Sequence, residues 1–275
     1  MRIKHHLSTN DYDGSLIEYL KYKNIKYQYV EFVKLVSFDV YEDQDVWVYV
    51  EPLISKYKMV DLESCEFSKK EIFSAERLYL WSRWYWDYPK PDIDGGYKSI
   101  TYELGRDCSQ CGVGKVQHAP FRVKGEPNWG ARHVLRLYWI YDELFVKPEV
   151  YEKLSQAGIQ GVEIEHVINH ENGSELKTLK QIKIDTTLKS GFTTEPSTTV
   201  LKCNKCGKVK YLASTREPRA FQKDTFTNAP DFVKSDEYFG DGASANRLII
   251  VSHRVFEVFE KEKWKGAVFE PLDLV

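Results

Sequence analysis

Two short cysteine motifs constrain this chain of 275 residues more than any other feature. Residues 108–112 (Cys-Ser-Gln-Cys-Gly, the first knuckle) and 203–207 (Cys-Asn-Lys-Cys-Gly, the second knuckle) share the pattern C-x-x-C-G. Two thiolates at this spacing can bind one metal ion from a tight turn, and the glycine permits the positive φ angle that the turn needs. Four sulfurs make a closed tetrahedral zinc site without an open position for substrate. We therefore predict one structural zinc ion, bound by Cys108, Cys111, Cys203 and Cys206.

The long interval between the knuckles leaves a second interpretation open. It spans the 91 residues 112–202, whereas the cysteine pairs of an ordinary zinc ribbon lie roughly 15–20 residues apart. One shared zinc site requires a domain inserted between two halves of a ribbon; otherwise each pair is a separate redox or disulfide pair. Zinc is favoured because a redox C-x-x-C usually opens a helix in a thioredoxin-like setting, and neither knuckle precedes a helical pattern.

An internal repeat follows the knuckles. Residues 144–165 and 249–270 align without a gap at an offset of 105 residues, which places Val146 opposite Val251 and Gly161 opposite Gly266. Each copy predicts a short strand, a helix and a second strand. Pro148 begins the first helix and Ser252 caps the second. Since each copy follows a cysteine knuckle, the pattern indicates a duplicated module.

The predicted fold class is α+β. Two modules, each a knuckle plus a strand–helix–strand, share a zinc-ribbon-like centre and follow an N-terminal α/β segment. We place that segment at 1–95 and the duplicated region at 96–275. Within the latter, 96–168 is the first module, 169–200 a linker strand region and 201–275 the second module.

The N-terminal segment carries its own local signals. An amphipathic pattern predicts a helix over 10–23, and the β-branched and aromatic run 46–50 predicts a strand. Ser68 and Glu71 form a capping box that predicts a helix to about Leu80. The aromatic stretch 79–88 follows; it either stacks on a ligand or forms a core cluster, and the core is favoured because aromatic side chains mostly bury their area.

Composition and charge exclude several classes of protein. The formal net charge of −2 argues against a surface built to hold nucleic acid. The chain has no apolar run long enough for a transmembrane helix, and its first twenty residues lack the order of a secretory signal. We therefore expect a cytoplasmic protein, in which Cys65 is a buried, inert thiol. Because the sequence contains no G-x-S-x-G, no H-E-x-x-H and no phosphate-binding glycine loop, we do not expect an enzyme.

The paired knuckles resemble the bacterial double-CXXCG motif family. The residues that carry the resemblance are Cys108, Cys111, Gly112, Cys203, Cys206 and Gly207, with similar context at Tyr88-Pro89, at 112–117, at Ile250-Val251-Ser252, and at Gly266, Phe269 and Pro271. It covers roughly residues 68–275. Some members are similar to immunity proteins of polymorphic-toxin systems, which bind and silence a cognate toxin. The resemblance therefore implies metal binding and an immunity-like role.

Our leading interpretation is a non-catalytic, zinc-binding interaction protein of the bacterial cytoplasm. The resemblance favours an immunity protein that neutralises a cognate toxin by protein–protein interaction, as in toxin–antitoxin pairs. An acidic surface would suit a basic toxin, and we predict that it lies at Asp231, Asp236, Glu237 and Asp241. We expect neither a membrane nor a nucleic-acid partner, and we infer no small-molecule substrate.

Two alternatives from other classes stay open. A nucleic-acid-binding zinc ribbon would present a basic face formed by Lys202, Lys205, Lys208 and Lys210 and would bind in a salt-sensitive way. A hydrolase-type enzyme would use the aromatic and acidic regions to line a deep cleft, with converging carboxylates and perturbed pKa values.

Overall fold

The computed structural model describes residues 1–194 and 196–275, which form two compact units. The first unit comprises 1–71 and 215–218, and the second comprises 72–214 and 219–275. The described residues form six α-helices and nineteen strands, so the fold is a mixture of α and β structure, as the sequence predicts. None of the helices in these ranges combines the length and the apolar character needed to cross a bilayer.

The first unit is an antiparallel four-stranded sheet with two helices. Its strands lie in the order β2-β3-β1-β4, and apolar residues that alternate along β1 and β3 pack against the helices. Leu7 and Phe38, for example, lie in one cluster with Leu16 and Val50. The elements are β1 (Arg2–Asn10), α1 (Ser15–Tyr22), β2 (Gln28–Val30), β3 (Leu35–Tyr41), α2 (Trp47–Lys56) and β4 (Val60–Glu66).

Two local predictions for this part of the chain are wrong. The run 46–50, predicted as a strand, begins helix α2, because Val50 and Leu53 lie three residues apart and both pack into the core. The capping box of Ser68 and Glu71 forms and opens α3 (Lys69–Ser74), but this helix ends well before Leu80. The residues that follow alternate between buried and half-buried positions, which is the pattern of a strand.

The second unit carries the remaining strands in four sheets of three to five strands. Its first strand lies within 72–95, so the boundary between the units falls after Glu71 and not after residue 95. The elements are β5 (Arg77–Ser82), α4 (Tyr97–Thr101), β6 (Arg122–Val123), β7 (Val134–Leu135), β8 (Leu144–Val146), α5 (Pro148–Gln156), β9 (Glu163–Asn169), β10 (Glu175–Lys183), β11 (Phe192–Thr193), β12 (Thr199–Lys202), β13 (Val209–Leu212), β14 (Ala220–Phe221), β15 (Phe232–Lys234), β16 (Tyr238–Phe239), β17 (Ile249–Ser252), α6 (His253–Lys261), β18 (Ala267–Pro271) and β19 (Asp273–Leu274).

Both strand–helix–strand segments of the repeat are present, as β8-α5-β9 and β17-α6-β18. In each copy an antiparallel strand lies between the two strands of the repeat: β10 separates β8 from β9, and β5 separates β17 from β18. The region 169–200 is therefore not a linker between modules, because it contributes the middle strand of the first one.

The two copies share one hydrophobic core. Val150 and Leu154 of α5 and Val255 and Phe259 of α6 are buried in a single cluster, which also takes in the strands of both copies. Both helices carry these residues at helical spacing on one face, which is why the sequence predicts them. The core is thus built from the apolar faces that the repeat places in equivalent positions.

Candidate metal centre

The four knuckle cysteines converge in the second unit. Cys108 Sγ lies 3.9 Å from Cys203 Sγ, and Cys111 Sγ lies 3.6 Å from Cys206 Sγ. All four sulfurs lie within 4.8 Å of one another. A tetrahedron with zinc–sulfur bonds of about 2.3 Å has sulfurs about 3.8 Å apart, whereas a disulfide joins its sulfurs at about 2.05 Å. The four cysteines are free thiols in an arrangement compatible with a metal such as zinc.

The two knuckles have the same pattern of backbone hydrogen bonds. In the first, Cys108 N–H donates to the carbonyl of Val113 and Gly112 N–H donates to the carbonyl of Cys108. In the second, the N–H groups of Cys203 and Gly207 make the equivalent bonds. The two glycines have φ angles of 75° and 71°, which non-glycine residues rarely adopt. This explains why glycine follows the second cysteine in both motifs.

The surroundings of the two knuckles differ. A Cβ added to Gly112 would lie 2.2 Å from the carbonyl oxygen of Ala243, whereas a Cβ on Gly207 would meet open space. Cys111 and Cys203 are buried, but Cys206 is exposed. The first knuckle is therefore packed into the unit, and the second closes the centre from the solvent side.

The thiols of Cys108 and Cys111 have pKa values shifted in opposite directions. The backbone N–H groups of Cys111 and Gln110 point at Cys108 and lower the pKa of its thiol to about 6. Burial raises the pKa of the Cys111 thiol to about 12. Because the thiolate is the form that binds metal, a metal ion bound here would have to displace the proton that Cys111 retains.

The four lysines beside the second knuckle differ in exposure: Lys202, Lys205 and Lys208 are exposed, whereas Lys210 lies in the interior. Lys210 is buried, and its ammonium donates to the carbonyls of Cys111, Gly242 and Ser244 at 2.6–3.1 Å. The exposed Lys205 donates to Ser109 Oγ across the two knuckles. A buried cation at this place would offset negative charge on the neighbouring cysteine sulfurs when they are deprotonated. The contacts of Lys210 indicate a structural role for this residue.

The acidic surface predicted for a partner does not form as proposed. Asp231 is buried and accepts hydrogen bonds from the backbone of Gln160 and from Ser252 Oγ. Glu237 is buried and accepts from the backbone N–H groups of 191 and 192. Asp236 and Asp241 are exposed. The buried pair holds loops in place, because a buried carboxylate needs hydrogen-bond donors.

The aromatic stretch 79–88 packs within the second unit. Trp84 meets Trp129 edge to face, and the rings of Tyr85 and Tyr138 stack. The buried guanidinium of Arg136 lies 4.7 Å from the Tyr85 ring centroid. These contacts agree with the core interpretation of the aromatic residues.

A second cluster of titratable residues, in the first unit, is one that the sequence does not reveal. His5 is buried; its Nδ1 lies 2.9 Å from Asp61 and its Nε2 lies 3.1 Å from Glu42. Arg216 forms ion pairs with Glu42 and Glu63. Both ring nitrogens and the carboxylates are thus engaged with one another, which describes an ion-pair network. The residues lie far apart in the chain: the register of β1 with β4 brings His5 to Asp61 and Glu63, while Glu42 follows β3 and Arg216 comes from the segment 215–218.

Cys65 lies in the first unit, apart from the four knuckle cysteines. It is half-buried, and its Sγ donates to the carbonyl of Thr215. The expectation of a buried thiol is therefore wrong, while its assignment outside the metal centre agrees with the cluster of the other four.

No family model matches the chain, and no curated protein matches it either.

Proposed function

We propose that this protein is a non-catalytic binding protein that holds one structural zinc ion through Cys108, Cys111, Cys203 and Cys206. The observation that carries the proposal is the pair of sulfur–sulfur distances, 3.9 and 3.6 Å, which bracket the edge of a zinc–thiolate tetrahedron. Four protein ligands leave no position for a substrate, so the ion would stabilise the fold and would not catalyse a reaction.

Zinc would join segments that lie far apart in the sequence. The first knuckle precedes β8 and the second precedes β17, so the ion would close a loop that contains the first copy of the repeat. The second knuckle has an exposed cysteine and an exposed glycine, and few apolar contacts hold it. Its order would therefore depend on the metal, in the way that small zinc-binding folds depend on theirs.

Metal analysis of the purified protein tests the zinc site. We expect one zinc ion per chain when the protein is purified in buffers without added metal, and loss of that ion in Cys111→Ser. The matched control is Cys65→Ser, which removes a thiol outside the cluster and should keep its zinc. A protein that contains no zinc, or that contains disulfides between the knuckles, would contradict the proposal.

We infer further that the binding partner is a protein, and that it is a toxin neutralised by this chain. The resemblance of the paired knuckles to immunity-like proteins supports this inference. Four bound thiolates and one zinc ion would shift the formal net charge from −2 to about −4, which suits a basic partner. Asp236 and Asp241 remain the exposed candidates for that contact.

Co-purification tests the partner. If a neighbouring gene encodes a toxin, that protein should co-purify with this chain, and its toxicity should disappear when the two are expressed together. Asp236→Asn combined with Asp241→Asn should weaken the complex, while Asp94→Asn, another exposed carboxylate, should leave it unchanged. A neighbouring toxin that neither binds nor loses toxicity would contradict the immunity role and leave the zinc result untouched.

A further inference from the structure

A polar cavity of about 330 Å³ lies in the second unit. Its size falls in the range of sites that bind small molecules. Its wall combines positive and negative side chains. The charged residues that line it are four cations, Lys115, Lys183, Lys234 and Arg247, and three carboxylates, Asp142, Glu143 and Asp185.

The cavity lies where the two copies of the repeat meet. Asp142 and Arg247 occupy equivalent positions, 105 residues apart, just before β8 and β17, and both line it. Tyr238 also lines it and packs against the cysteine cluster. Small-molecule sites often form between structural units. Here the copies have diverged in charge, with a carboxylate in one and a guanidinium in the other.

One side of the cavity is a satisfied ion pair. Lys234 Nζ lies 2.5 Å from Glu143 Oε1, and Gln181 Nε2 donates to the other carboxylate oxygen of Glu143 at 3.1 Å. Gln117 exchanges hydrogen bonds with Gln181. These groups hold one another in place, and burial raises the pKa of Glu143. They form a fixed wall and need no ligand.

Other polar groups of the lining are not fully paired. Arg247 donates to the hydroxyl of Thr187, and among the described residues its buried Nε has no partner. Lys115 Nζ lies 3.9 Å from Asp142 Oδ2, too far for a hydrogen bond. Asp142 Oδ1 is also buried and has no partner in the part of the chain that the structure describes, but an anion cannot satisfy an acceptor, so the unpaired donor on Arg247 is the group that points to an anionic ligand. Buried polar atoms are nearly always paired with protein, water or ligand.

We propose that this cavity binds a small organic anion whose carboxylate or phosphate group lies between Arg247 and Lys115. A guanidinium presents a planar fork of donors that matches such groups, and an ammonium adds a second positive charge. The rings of Tyr102 and Tyr238, which also line the cavity, offer an apolar surface to the organic part of the ligand. This inference is independent of the toxin-binding proposal.

Isothermal titration calorimetry of the purified protein tests the proposal, with succinate, benzoate, phenyl phosphate and inorganic phosphate as probes. We expect at least one of the three organic anions to bind with one site per chain. Arg247→Gln should weaken that binding by about tenfold or more, and Lys115→Gln should weaken it less. Arg247→Lys, which keeps the positive charge, should restore part of the loss.

The matched control is Arg83→Gln, which removes an exposed guanidinium outside the cavity and should leave the affinity unchanged. Thermal unfolding and zinc content of each variant show whether it remains folded. If Arg247→Gln does not fold, Lys115→Gln and the control decide the comparison. Absence of binding by every probe, binding of inorganic phosphate alone, or equal affinities of the cavity variants and the control would overturn the proposal.

Discussion

The strands of the two repeat copies pair in the same register, but the middle strand of each sheet comes from a different part of the chain. In the first, Val146 lies opposite Lys180 of β10. In the second, the equivalent Val251 lies opposite Leu78 of β5. Strand β10 follows β9 directly through a short turn, whereas β5 precedes the second copy by most of the unit. One architecture can thus be completed by a local hairpin or by a distant strand.

The copies also contact each other reciprocally. The carbonyl of Gln160, just before Gly161, accepts a hydrogen bond from Phe232 N–H next to the second copy. The carbonyl of Lys265, just before Gly266, accepts one from His133 N–H next to the first copy. Such self-complementary contacts are typical of two-fold dimers. The second unit therefore behaves as an internal dimer in one chain.

The largest effect should come from the two glycines at this contact. A Cβ on Gly161 would lie 2.3 Å from the carbonyl oxygen of Phe232, and a Cβ on Gly266 would lie 2.3 Å from that of Val134. Their φ angles are 82° and 105°. Gly161→Ala and Gly266→Ala should each lower the free energy of unfolding in urea by more than about 3 kcal/mol, since the clash adds to the backbone strain.

Gly173→Ala is the control for both variants. Its φ angle is 73°, but a Cβ there meets nothing within 4 Å. It should therefore lower the free energy of unfolding only by about 1–2 kcal/mol, the strain of a left-handed residue. A loss in Gly161→Ala or Gly266→Ala that is no larger than the control's would show that the reciprocal contact is not a tight one.

The knuckle glycines extend the comparison to the metal centre. Gly112→Ala should weaken zinc binding strongly, because its Cβ would meet the Ala243 carbonyl at 2.2 Å. Gly207→Ala has a similar φ angle but open space around it, so it should weaken binding by only about tenfold, through strain alone. Competition with a coloured zinc chelator measures both. Equal affinities would contradict the asymmetry between the two knuckles.

The sequence predicts those features whose signals are local. The apolar spacing of Val150 and Leu154 is enough to predict a helix, and the chemistry of four cysteines is enough to predict their convergence. The middle strand of the second copy cannot be predicted this way, because nothing in 77–82 specifies a partner that is distant in the sequence. The run 46–50 shows the opposite case, in which strand propensity is overridden by packing of Val50 against a sheet. The cavity likewise depends on positions 142 and 247 meeting in space.

A smaller change in the free energy of unfolding is expected from substitutions in the shared core. Val150 and Val255 occupy equivalent positions and are both fully buried in one cluster. Each substitution to alanine should lower the free energy of unfolding by about 2 kcal/mol, through lost burial and a small cavity. The double variant should depart from additivity by about 0.5 kcal/mol or more if the two helices pack as one core. Strict additivity would indicate two separate cores.

The smallest effect should come from the starts of the two helices, where the copies also differ. Helix α5 begins with Pro148. Proline has no N–H, but the first N–H groups of a helix have no partner within the helix, so no hydrogen bond is lost. Helix α6 begins after Ser252, whose hydroxyl does not cap the helix as predicted but donates to Asp231 at 2.5 Å. Ser252→Ala should lower the free energy of unfolding by about 1–2 kcal/mol, because it leaves a buried carboxylate short of a donor.

Pro148→Ala is the matched change in the other copy. It should lower the free energy of unfolding by less than about 1 kcal/mol, because it only increases the conformational entropy of the unfolded chain. Urea unfolding of the two single variants measures the difference. Equal losses would show that the Ser252–Asp231 bond contributes nothing beyond an ordinary helix start. A larger loss for Ser252→Ala would show that the buried Asp231, predicted as a partner contact, instead stabilises the start of the second copy's helix.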